Sequence, residues 1–128
     1  MFLRFVVHTL DEDSGRRRGV IHAAAELRGS QDVSSEDSEQ LRLLSNWFDD
    51  NLERPSNFAV SNRPHAKGQA ISWFKASATE HIRRAREASE ILARYGIDVD
   101  VLRTTRPGYL AYEDDHQVTA YPFSDTPT

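Results

Sequence analysis

Apolar residues recur along this chain in two different periods, and the change from one to the other divides it. Phe2 to His8 is a nearly continuous apolar run holding two phenylalanines and two valines, bounded by the turn-forming cluster Asp11-Glu12-Asp13-Ser14-Gly15. Such a run predicts a buried, central strand. Val20, Ala24 and Leu27, with Ile21 beside them, then mark one face of a short helix that Gly29 stops. Ser34-Ser35-Glu36-Asp37 offers an N-cap with acids in the first turn, and Leu41, Leu44, Phe48 and Leu52 follow at helical spacing. They predict a second helix ending before Pro55. Ser77 and Glu80 have the S-x-x-E spacing of a capping box, and Ile82, Ala85, Ser89 and Leu92 mark one face of a third helix, expected over about residues 78 to 95 with Gly96 as its stop.

After Gly96 the period falls from 3.6 to 2. Ile97, Val99 and Val101 alternate with Asp98, Asp100 and Leu102, the pattern of a strand with one buried face. Arg106-Pro107-Gly108-Tyr109 places Pro and Gly at the centre of a type II turn, so Tyr109 to Glu113 is expected to return antiparallel. A second turn at Asp114-Asp115-His116 leads into Gln117 to Tyr121, which Pro122 ends. The C-terminal third is thus expected to be a three-stranded meander, with Ser124 to Thr128 frayed. Gln69 to Lys75 is β-branched and aromatic enough to be a strand feeding the third helix, which leaves Pro55 to Gly68 as a long loop. The order becomes β-α-α-β-α-β-β-β. It predicts an α+β fold with helices on one face of a mostly antiparallel sheet, one domain over residues 1–123 and a tail over 124–128.

Composition narrows the chemistry. The chain has 128 residues, a size that supports one self-sufficient core, and no cysteine. Disulfides, thiolate metal sites, iron–sulfur clusters and a thiol nucleophile are excluded, and a reducing cytoplasm is the expected location. The apolar run at the N-terminus is too short for a signal peptide, and no stretch approaches the 18 apolar residues that span a bilayer.

The net charge of −4 is segmental. Residues 1–30 carry +1, residues 31–54 carry −5, residues 55–96 carry +4 and residues 97–128 carry −4. A basic block between acidic ones argues against a general polyanion binder, and no helix-turn-helix, zinc or RNA-binding pattern is present, so nucleic acid is not expected as a partner. A local anion site is.

Asp13-Ser14-Gly15-Arg16-Arg17 with Ala23-Ala24, Ile71-Ser72-Trp73-Phe74-Lys75 with Glu80-His81-Ile82, and Leu102-Arg103-Thr104 with Pro107-Gly108-Tyr109 and Tyr112-Glu113-Asp114 together resemble a family of small stand-alone bacterial proteins without known function. The resemblance implies a bacterial, cytoplasmic, single-domain protein and assigns no catalytic residue.

Among constellations able to carry chemistry, Arg63-Pro64-His65-Ala66-Lys67-Gly68 combines a guanidinium, an imidazole and an ammonium in the long loop, and Lys75 follows just before a helix N-terminus. An anion can be held there; the alternative is a solvated loop. Gly15-Arg16-Arg17-Arg18-Gly19 lies between a strand and a helix, where ligands often bind, although its arginines are also expected to neutralise Asp11, Glu12 and Asp13. Glu113, beside Asp114, Asp115 and His116, is the candidate general acid or base. His22 and Glu26 stand i, i+4 on one helix, but no H-E-x-x-H or His-x-His spacing occurs, so neither a metal nor another cofactor is expected. Trp73 reads as core, and Trp47 as packing under the loop or as an anchor for a partner.

Two functions emerge as expectations. The first is an accessory module, with a protein partner or a homodimer contact, or a small anionic ligand held by Arg17, Arg63, His65 and Lys75. The second is an enzyme acting on a nucleotide-like or phosphorylated substrate, with Glu113 converging on those cations. The strand-then-helix segment Ile71-Ser72-Trp73-Phe74 before Glu80-His81-Ile82, with a late strand glutamate, resembles small ADP-ribosyltransferase-like proteins in that respect.

Overall fold

A computed structural model describes residues 1–12, 15–54 and 70–128. Its elements are β1 (Phe2–Leu10), β2 (Arg17–Gly19), α1 (Val20–Arg28), α2 (Ser35–Asn51), β3 (Ile71–Lys75), α3 (Thr79–Arg94), β4 (Asp100–Thr104), β5 (Tyr109–Glu113) and β6 (Gln117–Tyr121). The fold is α+β, with six strands paired antiparallel throughout and three helices among the described residues. The expected loop from Pro55 to Gly68 lies outside the described residues.

Strand alternation sorts the side chains of β1. Leu3, Phe5 and Val7 join Phe74 of β3 in the main core, which the helices complete with Val20, Ala24, Leu41, Leu44, Phe48, Ala85 and Leu92. Phe2, Arg4 and Val6 take the opposite face. The α2 N-cap forms as its sequence predicts: the Ser34 hydroxyl accepts from the Asp37 N–H at 3.1 Å. Asp37 in turn accepts from the Tyr95 hydroxyl at 2.7 Å and from Arg94 at 2.8 Å, which ties the start of α2 to the end of α3.

The capping box at Ser77 and Glu80 does not form. The Ala78 N–H donates to the Lys75 carbonyl and the Thr79 N–H to the Ser77 carbonyl, both at 2.9 Å, a tight turn that leaves Ser77 outside the helix and Ala78 at the N-cap. Glu80 pairs instead with Arg83 at 2.8 Å. At the other end, Gly96 at φ 78° lets its own N–H reach Ala93 and that of Ile97 reach Leu92. These are the two bonds of a Schellman motif. It occupies Ile97 and delays β4 to Asp100, three residues later than the alternation alone suggests.

β5 and β6 form the expected hairpin, but β4 does not complete a meander with them. It pairs along β1, Asp100 to Thr104 against Val6 to Phe2. The reason lies in Pro107 and Gly108. A type II turn splays a hairpin because its twist opposes that of the strands. Here the two residues carry a crossing between the two margins of the sheet, with Pro107 buried and Gly108 at φ +133°.

That crossing shapes the molecule. β1, β3 and β6 lie between β4 and β5, so a flat sheet would separate them by about 19 Å, whereas the five steps from Thr104 to Tyr109 reach about 17 Å. The sheet therefore curls away from the helices. Its inner face holds a second core of Ile71, Trp73 and Val118, on which Phe2 and β4's Leu102 pack. Val6 and Val118 have no exposed surface and Trp73 is 1% exposed, although none of the three described helices contributes to that second cluster. The tail at residues 124–128, expected to fray, makes contacts: the buried Thr126 hydroxyl donates to the Arg106 carbonyl at 3.2 Å, and Arg17 Nε donates to the Thr128 carbonyl at 3.2 Å.

Candidate functional site

The sheet has a tear beside β1. Phe2 and Leu3 pair with Lys75 and Phe74 of β3, and there the ladder stops. Val6 pairs on that same edge with Gly19 of β2, because its other edge belongs to β4. Continuing the register would set Arg4 opposite Trp73 and Phe5 opposite Ser72, yet neither pair forms. All four residues line a pocket of about 140 Å³, closed by Val20 of α1 and by Leu52 just past α2.

Its walls are mainly apolar, and the polar side chains on it divide cleanly. The Ser72 hydroxyl shares a hydrogen bond of 2.8 Å with Thr119, and the Gln117 amide donates to the Glu53 carbonyl at 2.6 Å and to Asp114 at 3.0 Å. Arg4 Nη1 and Trp73 Nε1 are buried and have no hydrogen-bond partner among the described residues. Both are donors only.

Arg4 is the unusual group. Its Nη2 donates to the Arg17 carbonyl at 2.5 Å. Burial first, then the charges of Arg17 and Arg16, pull its pKa down to about 10 against an opposing contribution from Asp11. It stays protonated at neutral pH, as a cation in an unfavourable setting. The Arg17 guanidinium is better matched: its Nη1 lies 2.9 Å from Asp100, whose carboxylate also stands 3.7 Å from His8 Nε2. Arg18 pairs with Glu26, which His22 approaches to 3.4 Å. Arg17 and Arg18 thus reach past the acidic cluster that precedes them, to β4 and α1.

The expected site residues separate. Arg17 does not line the pocket: its carbonyl accepts from Arg4, while its guanidinium turns to Asp100 and Thr128. Arg63 and His65 lie outside the described residues. Lys75 and Glu113 meet as an ion pair of 2.7 Å, with half of the Glu113 side chain exposed. Neither lines the pocket, although Lys75, opposite Phe2, stands only two residues along β3 from Trp73. Arg17 pairs with Leu10, eight steps along β1 from Phe2 and roughly 26 Å away, so Lys75 and Arg17 do not converge. Trp47 packs edge-on against His81, 4.7 Å between centroids, under the Arg84 guanidinium at 4.4 Å, and these contacts occupy the ring that could have anchored a partner. His81 is itself buried and donates from Nε2 to the Asn51 carbonyl at 2.8 Å.

Among the described residues, no group of three or more His, Asp or Glu could hold a metal ion, and no helix is long and apolar enough to cross a membrane. Arg4 and Trp73 are not among the site residues expected from the sequence. The signal for Arg4 is present there, as the lone charge inside the apolar run of β1. No family model, curated protein or solved structure matches the chain, and the chemistry of the site rests on its own residues.

Proposed function

We propose that this chain is a small-anion-binding module, with Arg4 as the principal ligand and the Arg17 carbonyl holding it in place. The observation that carries this reading is the Arg4 guanidinium, held away from water with one nitrogen unpartnered among the described residues. The fall in its pKa to about 10 corresponds to a cost of roughly 3 kcal/mol for keeping the charge in place. An incoming anion offsets part of that, and a charge-assisted hydrogen bond adds about 2 kcal/mol. Among the described residues the pocket wall carries no carboxylate, its one hydroxyl, Ser72, is bonded to Thr119, and a guanidinium does not exchange protons at neutral pH. This composition supports binding over catalysis. The absence of cysteine suits a cytoplasmic location.

The test is calorimetric titration of the protein with acetate and with inorganic phosphate, beside the Arg4→Met variant. Arg4→Met is expected to weaken the tighter of the two anions at least tenfold. Equal affinity in both proteins, or no binding of either anion to the unaltered protein, overturns the reading.

A further inference from the structure

The tear between β1 and β3 shows more than a charge preference, and the ligand class it defines rests on the anion-binding reading. Its two unpartnered donors sit on Arg4 and Trp73, which the interrupted register places across from one another on the same face of the sheet. The Ser72 hydroxyl and the Gln117 amide N–H groups are already paired, which leaves the Arg4 cation and the Trp73 N–H as the pocket's unpartnered donors among the described residues. A neutral ligand brings no charge to offset the buried guanidinium, so it binds more weakly than an anion of the same body. Two donor residues on one pocket wall can each take one oxygen of a carboxylate. A phosphate brings further oxygens that the Leu3, Phe5 and Val20 side of the pocket cannot satisfy.

The remaining volume fixes the size of the body. At about 140 Å³ the pocket is close to the roughly 150 Å³ apolar cavity known to accept benzene. We infer that the tear binds a monocarboxylate with a compact apolar body of about six to eight carbons, aromatic or branched, its carboxylate bridging Arg4 Nη1 and Trp73 Nε1. Phe5, Leu52 and Val20 enclose the apolar part. Arg17, its guanidinium already bonded to Asp100 and Thr128, holds Arg4 through its carbonyl without contacting the ligand.

The probe is benzoate, titrated calorimetrically into the protein beside acetate and benzyl alcohol. Benzoate is expected to bind at least tenfold more tightly than acetate, and benzyl alcohol at least tenfold more weakly than benzoate. Trp73→Phe keeps a ring and removes the donor, so it should weaken benzoate about fivefold; the ligand series on the unaltered protein decides the matter even where that variant fails to fold. Benzoate no tighter than acetate overturns the apolar body and leaves the anion reading standing. Benzyl alcohol matching benzoate overturns the carboxylate, and the binding of neither benzoate nor acetate overturns both readings.

Discussion

Arg4 shows how one side chain can be legible in type and illegible in role. A lone cation inside Phe2-Leu3-Arg4-Phe5-Val6-Val7 is visible in the sequence, and strand alternation already separates it from the face that Leu3 and Phe5 bury. What alternation cannot show is the neighbour. Arg4 lies beside Arg17 and opposite Trp73 because β2 and β3 share one edge of β1, a fact of topology that no local pattern encodes. The position implies a trade between stability and function. Arg4→Met removes a charge from an unfavourable setting and, with it, the donor to the Arg17 carbonyl. It is expected to leave unfolding stability unchanged or to raise it by up to about 2 kcal/mol, read by denaturant titration, while anion binding is lost. A large destabilisation would mean that Arg4 serves the fold.

Elements are legible in the sequence where their signals are local. The Ser34 cap, the α2 stripe and the Gly96 stop form as the sequence indicates, since each depends on residues within one turn of one another. The capping box at Ser77 fails because the turn from Lys75 to Thr79 leaves Ser77 outside the helix and puts Ala78 at the N-cap, and β2 gives no sequence signal because three residues carry no period. The turn of the β5–β6 hairpin rests on one carboxylate. Asp114 accepts from the His116 and Gln117 N–H groups at 2.8 and 3.0 Å, from the Tyr112 hydroxyl at 2.9 Å and from the Gln117 amide at 3.0 Å. Burial acts to raise its pKa, and these bonds together outweigh burial and hold it below the ordinary aspartate value. A carboxyl with a lowered folded-state pKa stabilises fully above the unfolded value near pH 4, and its contribution is lost as the pH falls through the folded-state value. Asp114→Ala should therefore lose about 2 kcal/mol at pH 7, and the loss should shrink on acidification below pH 4. A cost that does not change with pH would contradict the assignment.

At the scale of the whole molecule, the curl of the sheet, the second core and the tear all follow from chain connections that the sequence leaves open. Consecutive strands usually pair, and that tendency is what makes a meander the natural expectation for the last three. The real chain sends β4 to β1 and then crosses the sheet through Pro107 and Gly108. A Cβ on Gly108 would lie 2.0 Å from the Tyr121 carbonyl oxygen, at a φ that side chains rarely adopt. Gly108→Ala is expected to destabilise by about 3 kcal/mol and to expose the inner core, with Trp73 emission shifting to the red. A wild-type unfolding midpoint would show that the crossing tolerates movement. The site itself depends on the same topology, because the tear exists only where β2 displaces β3 from β1. Its most direct test is the indole N–H resonance of Trp73 in a heteronuclear NMR spectrum during a benzoate titration, told from that of Trp47 by a Trp47→Phe control. The signal should move saturably in the unaltered protein and stay fixed in Arg4→Met. A Trp73 resonance that does not respond to benzoate in the unaltered protein would contradict the account.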